Sequence, residues 1–115
     1  MILVYVAGPF RSHSAWGIEQ NVRVAEAWGL DISELGLVPI IPHSMYRYHT
    51  GTNDDFWLEA TQEILRRCDA IFLLPGWYKS EGSRAERKLA KSLDKPEFEA
   101  SDGLVALAKF EWPSK

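Results

Sequence analysis

The sequence predicts an α/β fold in which helices cover both faces of a parallel sheet. Two near-continuous apolar runs, at residues 2–7 and 70–74, are typical of strands that are buried on both faces. Amphipathic helical patterns separate the apolar runs along the chain. Strands that alternate with helices favour a parallel sheet joined by right-handed crossovers.

Each element has its own sequence signal, and these signals set the expected boundaries. We expect strands at residues 2–7, 37–41 and 70–74, helices at about 16–34 and 84–94, a short fourth strand at 97–99 and a last short helix at 103–110. A further helix should end at about residue 67, and Thr52, Asn53 and Asp54 are all residue types that could cap its start. Pro39 cannot donate a ladder hydrogen bond, so the second strand should lie at an edge. Residues 42–53 are expected to form a long loop and residues 111–115 a mobile tail.

Composition limits the class of protein. A chain of 115 residues, 46% hydrophobic and 25% charged, predicts one globular domain spanning residues 1–115. The net charge of -3 and the lack of a long basic block argue against a nucleic-acid polymer as partner. The single cysteine, Cys68, cannot form an intramolecular disulfide. With no signal-peptide pattern and no apolar run near ~20 residues, we expect a cytoplasmic protein without a membrane partner.

The segment from residue 73 to residue 86 is predicted to contain the end of a strand, a loop and the start of a helix. Gly76 and Gly82 let the loop backbone turn and approach a ligand closely. Glu86 should lie in the first turn of the following helix, near the strand ends where open α/β sheets bind ligands. Ser83 and Glu86 also fit the S-x-x-E capping box, and on spacing alone capping is the better interpretation.

Three motifs combine into a resemblance: Y-V-A-G-P-F-R at residues 5–11, C-D at 68–69 and S-E-G-S-R-A-E at 80–86, with the segment 39–43 between them. In their order and spacing they resemble the nucleoside 2-deoxyribosyltransferase superfamily. That superfamily includes a nucleotide N-glycosidase branch and short uncharacterised bacterial and phage proteins. The similarity covers residues 1 to about 98.

The resemblance implies a flavodoxin-like (Rossmann-like) three-layer sandwich with a sheet of about four to five strands. It implies cleavage or transfer at the N-glycosidic bond of a (deoxy)nucleoside or its 5′-monophosphate, with no cofactor. Glu86 would be the nucleophile on the sugar C1′, and Tyr5 would orient it. The residues expected to bind sugar, phosphate or base are Gly8, Pro9, Phe10, Arg11, His43, Thr61, Ser80, Gly82 and Ser83.

The residue types agree with this chemistry. Glycoside cleavage passes through an oxocarbenium-like state, which a carboxylate can stabilise or trap covalently. The sugar can then pass to water or to another base. Arg11 offers paired donors to a phosphate, although a solvated loop arginine is an equal alternative. The resemblance also implies a homo-oligomer, a dimer or larger, whose neighbouring subunit helps to close the site, and the aromatic segment 45–57 is a candidate for that contact.

One position departs from the family pattern. The family carries an acidic residue eight positions before the aspartate that matches Asp69, and this sequence has Thr61 there. A threonine cannot act as an acid near neutral pH. Asp54, Asp55 and Glu59 remain candidates to replace that acid. The alternative function is therefore a non-catalytic nucleotide-binding module, and a third is a domain in which Glu86 only caps its helix and oligomer contacts carry the function.

Other candidate sites are weaker. His13, His43 and His49 have no metal-ligand spacing, so no metal is expected. His43, just after a strand, is either a pocket residue or a hydrogen-bonded loop histidine. Cys68 is expected to be a small buried hydrophobe, and Asp69 to have a structural role at the start of its strand.

Overall fold

The computed structural model describes residues 1–46 and 54–113, except for the side chains of Tyr46 and Asp54. The elements in chain order are β1 (Leu3–Ala7), α1 (Ala15–Ser33), β2 (Val38–Ile40), α2 (Pro42–Tyr46), α3 (Asp54–Arg66), β3 (Ala70–Leu73), a 3-10 turn (Trp77–Lys79), α4 (Glu81–Ser92), β4 (Glu97–Glu99) and α5 (Gly103–Lys109). The predicted α/β class and the short fourth strand are confirmed.

The four strands form one parallel sheet in the order β2-β1-β3-β4. β2 lies at an edge, as Pro39 predicts. From β1 the chain first moves to β2 and then crosses to β3 on the other side of β1. The strand order therefore reverses between β1 and β3, and open α/β sheets bind ligands outside the carboxyl ends of the strands at this point.

Side chains alternate between two core layers. Val4, Val6 and Phe72 pack towards α1 and α5, where they meet Ile32 and Leu107. Tyr5, Ala7 and Leu73 pack on the other face against residues of α3 and α4, including Leu65 and Ala90. Because neighbouring strand residues point to opposite faces, the register of β1 directs Tyr5 towards α4.

The structure corrects two expected boundaries. Residues 42–46 form the short helix α2 rather than a loop, and its first residue, Pro42, has the fixed φ angle that suits a helix start. Residues 47–53 of that predicted loop lie outside the described residues. Helix α4 begins at Glu81, three residues earlier than predicted, because Ser80 caps it.

Trp112, in the tail predicted to be mobile, packs against the core. The ring of Trp112 lies 4.5 Å from that of Phe110 and 6.1 Å from that of Phe98, measured between centroids. Phe98 belongs to the core and Trp112 packs against it. Aromatic contacts thus attach Trp112 to the core, and residues 114–115 lie outside the described part.

Asp69 ties the start of β1 to the start of β3. Its Oδ2 accepts a hydrogen bond from the Leu3 N–H at 2.8 Å, and its own N–H donates to the Leu3 carbonyl at 2.8 Å. The structural role predicted for Asp69 is confirmed.

We expect Asp69→Ala to lower the free energy of unfolding by about 1–3 kcal/mol, because a part-buried N–H loses its acceptor. Asp69→Asn keeps a side-chain oxygen in the same place and should lose less. Urea denaturation of both variants at pH 7 measures the difference. Equal losses in the two variants would mean that the carboxyl oxygen is not the stabilising group.

Candidate active site

The loops that follow β1 and β3 lie directly against each other. A Cβ atom on Gly8 would come within 2.7 Å of the Leu74 side chain, so only glycine fits there without a shift. Gly76 has a φ angle of 80°, which favours glycine, and a Cβ on it would lie 3.5 Å from Pro9. The two loops thus form one surface at the carboxyl ends of the central strands.

Helix α4 starts from this surface. The Ser80 side chain accepts a hydrogen bond from the Ser83 N–H at 3.2 Å and so caps the helix. The capping-box interpretation of Ser83 and Glu86 is therefore wrong. Serine is a residue type that caps helices, so Ser80 and Ser83 were both candidates, and Ser80 is the residue that caps α4. Glu86 consequently lies in the second turn of α4, not the first.

The carboxylate of Glu86 instead pairs with the central strand. The Tyr5 hydroxyl donates a hydrogen bond to Glu86 Oε2, across 81 positions of sequence. Tyr5 is fully buried, and Glu86 is partly buried. The structure thus brings together the two residues predicted to be catalytic.

The environment of Glu86 changes its acidity. Burial raises the pKa of Glu86 from 4.5 to about 7, against the hydrogen bond from Tyr5, which lowers it. Burial prevails because a carboxylate loses more solvation than one donor returns. Near neutral pH this carboxyl group is present in both its protonated and its ionised form, which suits acid, base or nucleophilic chemistry.

Gly82 and Ser83, adjacent residues in the first turn of α4, differ in their exposure to solvent. Gly82 is exposed, and a Cβ atom on it would meet only Ser80 Oγ, at 4.0 Å. No described contact therefore requires glycine at this position for packing. Ser83 is 1% exposed, and its hydroxyl has no hydrogen-bond partner among the described residues. A ligand therefore cannot reach that hydroxyl unless the structure around it rearranges.

His43 lies in α2 and is only 4% exposed. Its Nε2 is 3.1 Å from the carbonyl oxygens of both Gly8 and Pro9. These contacts match the alternative of a hydrogen-bonded histidine. Desolvation by burial lowers the pKa of His43, so the ring is neutral at physiological pH.

The remaining predicted residues occupy different environments. Arg11 is exposed on the loop after β1. Thr61 is buried on α3, and its hydroxyl lies 3.0 Å from the Trp57 carbonyl oxygen and 3.1 Å from that of Leu58. A hydroxyl has one proton to donate, and the Thr61 side chain donates it to the backbone of its own helix. Of the three candidates to replace the missing acid, Asp55 and Glu59 are exposed, and the side chain of Asp54 lies outside the described part of the structure.

Sequence reasoning missed Asn21 of α1. Its Nδ2 donates to the Phe10 carbonyl oxygen at 2.9 Å and lies 3.5 Å from that of Arg11. The only signal in the sequence was a polar residue beside the apolar stripe of the predicted helix.

A cleft of about 420 Å³ opens at the carboxyl ends of β3 and β4. Its walls include Trp28, Trp77, Tyr78 and Glu99, and Trp77 Nε1 donates to Glu99 Oε1 at 2.6 Å. Neither Tyr5 nor Glu86 lines it. The cleft and the carboxylate are therefore separate features of this end of the sheet.

The described residues contain neither a metal-binding cluster nor a membrane-spanning helix. Within residues 1–46 and 54–113, no group of three or more His, Cys, Asp or Glu side chains is arranged to hold a metal ion. No helix in the same part of the chain has the length and apolar character needed to cross a membrane.

The fold is that of an α/β protein and is similar to the fold of a 2-deoxyribosyltransferase. The enzyme is the one from the psychrotolerant bacterium Bacillus psychrosaccharolyticus, with a TM-score of 0.66, 17% sequence identity and coverage of 96% of this chain and 93% of that chain. At this identity the similarity shows the fold. The chain belongs to the family described as a domain of unknown function, DUF4406, whose profile matches residues 2–99. No curated protein matches the sequence.

We expect Glu86→Gln to stabilise the protein at alkaline pH. Because the folded pKa of Glu86 is about 7 and its ordinary value is 4.5, the folded chain holds more protons between these values. The stability that Glu86 contributes is full below pH 4.5 and is lost as the pH rises through about 7. Glutamine stays neutral, so the variant should exceed the wild type by up to ~3 kcal/mol at pH 8 and differ little at pH 4.5.

Urea unfolding at both pH values measures this effect. Glu63→Gln, which makes the same change at an exposed site on α3, is the matched control, and it should cost no more than the ~1 kcal/mol typical of surface ion pairs. A loss of stability in Glu86→Gln at every pH would contradict the assignment of Glu86 as a buried carboxyl.

Proposed function

We propose that this protein cleaves or transfers at the N-glycosidic bond of a (deoxy)nucleoside or its 5′-monophosphate, with Glu86 as the nucleophile. The observation that carries the proposal is the pair of Tyr5 and Glu86, in which burial raises the pKa of the carboxyl group to about 7. The fold shared with a 2-deoxyribosyltransferase supports the same chemistry.

The reaction needs one carboxylate and a way to hold the sugar. A bond forms between ionised Glu86 and C1′ as the C1′–N bond breaks, and the leaving nitrogen keeps the electron pair and takes a proton from water. Water, or the nitrogen of a second base, then attacks C1′ and gives up its proton to the hydroxide left by the first step, and the C1′–O bond to Glu86 breaks to release the carboxylate. Because Tyr5 donates to Oε2, it orients the carboxylate with Oε1 as the attacking oxygen.

The two loops at the carboxyl ends of β1 and β3 supply the proposed sugar and phosphate contacts. Gly8 to Arg11 would bind on one side and Ser80 to Ser83 on the other. The N-terminus of α4 favours an anion there, and the exposed backbone at Gly82 allows close approach. Arg11 would add a bidentate contact to a 5′-phosphate. The proposed chemistry uses no cofactor.

One observation favours a second function, a non-catalytic nucleotide-binding module. Thr61 stands where the nucleoside 2-deoxyribosyltransferase superfamily carries an acidic residue. Its hydroxyl is hydrogen-bonded to the backbone of its own helix. Position 61 therefore cannot supply a proton to the leaving base. A chain that keeps the binding loops without this acid would bind a nucleotide and not turn it over.

We expect the wild-type chain to release free base from at least one member of a panel of ribo- and deoxyribonucleosides and their 5′-monophosphates. Chromatography measures the release. Glu86→Gln should lower the rate by at least about a hundredfold, because the amide cannot form the covalent intermediate. Glu63→Gln changes the same residue type at an exposed site on α3 and should keep wild-type activity.

The same panel separates the two functions. No base release from any compound, combined with a nucleotide that raises the melting temperature, would favour the binding module. Base release that persists in Glu86→Gln would contradict the proposed nucleophile. Adding a second free base distinguishes transfer from hydrolysis.

The pH dependence of the reaction gives a further prediction. Because Glu86 must be ionised to attack, kcat/KM should rise with pH through a value of about 7. Tyr5→Phe removes the hydrogen bond that lowers the pKa of Glu86, so the rise should move to higher pH. Tyr78→Phe, at an exposed tyrosine, is the control. A rise that stays in place or moves to lower pH in Tyr5→Phe would contradict the role of Tyr5.

A further inference from the structure

The loop after β1 is held by two side chains from the neighbouring helices α1 and α2. His43 of α2 contacts the carbonyl oxygens of Gly8 and Pro9, each at 3.1 Å from Nε2. Asn21 of α1 reaches the next two carbonyl oxygens, at 2.9 Å for Phe10 and 3.5 Å for Arg11. Two side chains thus contact the carbonyl groups of four consecutive residues, 8–11.

We propose that His43 and Asn21 are positioning residues that set the orientation of this loop for a nucleotide substrate. The inference rests on the proposed function, because it concerns the same binding loop. In a planar trans peptide, the C=O of one residue and the N–H of the next point in opposite directions. Carbonyl groups that turn towards α1 and α2 therefore direct the following N–H groups, those of Phe10, Arg11 and Ser12, away from these helices.

This orientation decides what the loop can bind. Carbonyl oxygens that face a phosphate or a sugar oxygen would repel it, whereas N–H groups attract it. Residues 8–11 lack a regular secondary structure that would determine the direction of their peptides. The donors on His43 and Asn21 supply that direction, which is why neither residue needs to touch the substrate.

The protonation of His43 follows from its contacts. Both partners of Nε2 are carbonyl oxygens, which only accept, so Nε2 carries a proton. Burial lowers the pKa of His43 and so favours the neutral ring, in which Nδ1 has no proton. Nδ1 is then a buried acceptor, and it has no partner among the described residues. An unpaired buried nitrogen costs free energy. The ring keeps its place despite this cost because the donor at Nε2 serves two carbonyl groups.

Matched variants separate positioning from packing. His43→Gln puts an amide N–H donor near the place of Nε2, and His43→Leu fills the space without a donor. Asn21→Asp keeps the shape of the side chain and replaces the donor with an oxygen. We expect KM for a 5′-monophosphate to rise at least about tenfold in His43→Leu and Asn21→Asp, with kcat within about threefold of the wild type. His43→Gln should restore KM to within about threefold.

A purely structural role gives a different pattern, because a smaller folded fraction lowers the apparent kcat and leaves KM unchanged. Melting temperatures of all variants check the folded state. If His43→Leu does not fold, Asn21→Asp tests the same loop from α1. An unchanged KM in the variants that lose a donor, or a KM in His43→Gln as high as in His43→Leu, would overturn the inference.

Calorimetric binding of the same 5′-monophosphates to Glu86→Gln distinguishes this inference from the proposed function. If the wild type releases no base but binds a nucleotide, the enzymatic function fails. The positioning role is then tested by Kd, which should rise at least about tenfold on adding His43→Leu and recover with His43→Gln. Absence of nucleotide binding in the unsubstituted chain would overturn both.

Discussion

The parallel pairing of β1 with β3 is the constraint on which the rest of this structure depends. It sets Tyr5 beside Ile71 and Ala7 beside Leu73, so both strands end at the same level. The loops that follow must then share one small space, and Gly8 is needed there because Leu74 occupies the position of any Cβ atom. The register of β1 also turns Tyr5 towards α4, where its hydroxyl meets Glu86.

Several features of this region cost stability. Glu86 is a carboxyl group that burial holds partly protonated, Ser83 has a buried hydroxyl without a described partner, and His43 has a buried nitrogen in the same condition. Folded proteins leave few such groups, and the exceptions are concentrated at functional sites. Here all three lie on elements that hold or flank the loops at the carboxyl ends of β1 and β3.

The two acidic positions expected at this site differ. The carboxyl group of Glu86 is present and has a hydrogen-bond partner, whereas position 61 carries a threonine in place of an acid. Glu86 has a hydrogen-bond partner, a shifted pKa and a position near the switch point of the sheet. On α3, by contrast, Thr61 uses its hydroxyl within its own helix. In the proposed reaction, attack on the sugar carbon and protonation of the leaving base are separate demands, and Glu86 could serve only the first.

Local patterns in the sequence determined the strands, the fold class and the edge position of β2. Apolar runs show where a strand is buried, and Pro39 shows where a ladder hydrogen bond is missing. The same reasoning could not choose between Ser80 and Ser83 as the cap of α4, because both side chains can cap and the choice depends on where the preceding loop leads the chain. Sequence reasoning also missed α2, because a helix of five residues is too short to show a helical pattern of apolar residues.

Only the tertiary structure decided the contacts of His43 and Asn21 and the acidity of Glu86. His43 is 35 positions from Gly8, and Glu86 is 81 positions from Tyr5, so no local pattern reports either contact. The pKa of Glu86 depends on how much solvent the surrounding elements exclude. A hydrogen bond or a desolvation cost belongs to groups brought together by folding, and the sequence specifies such groups only through the fold.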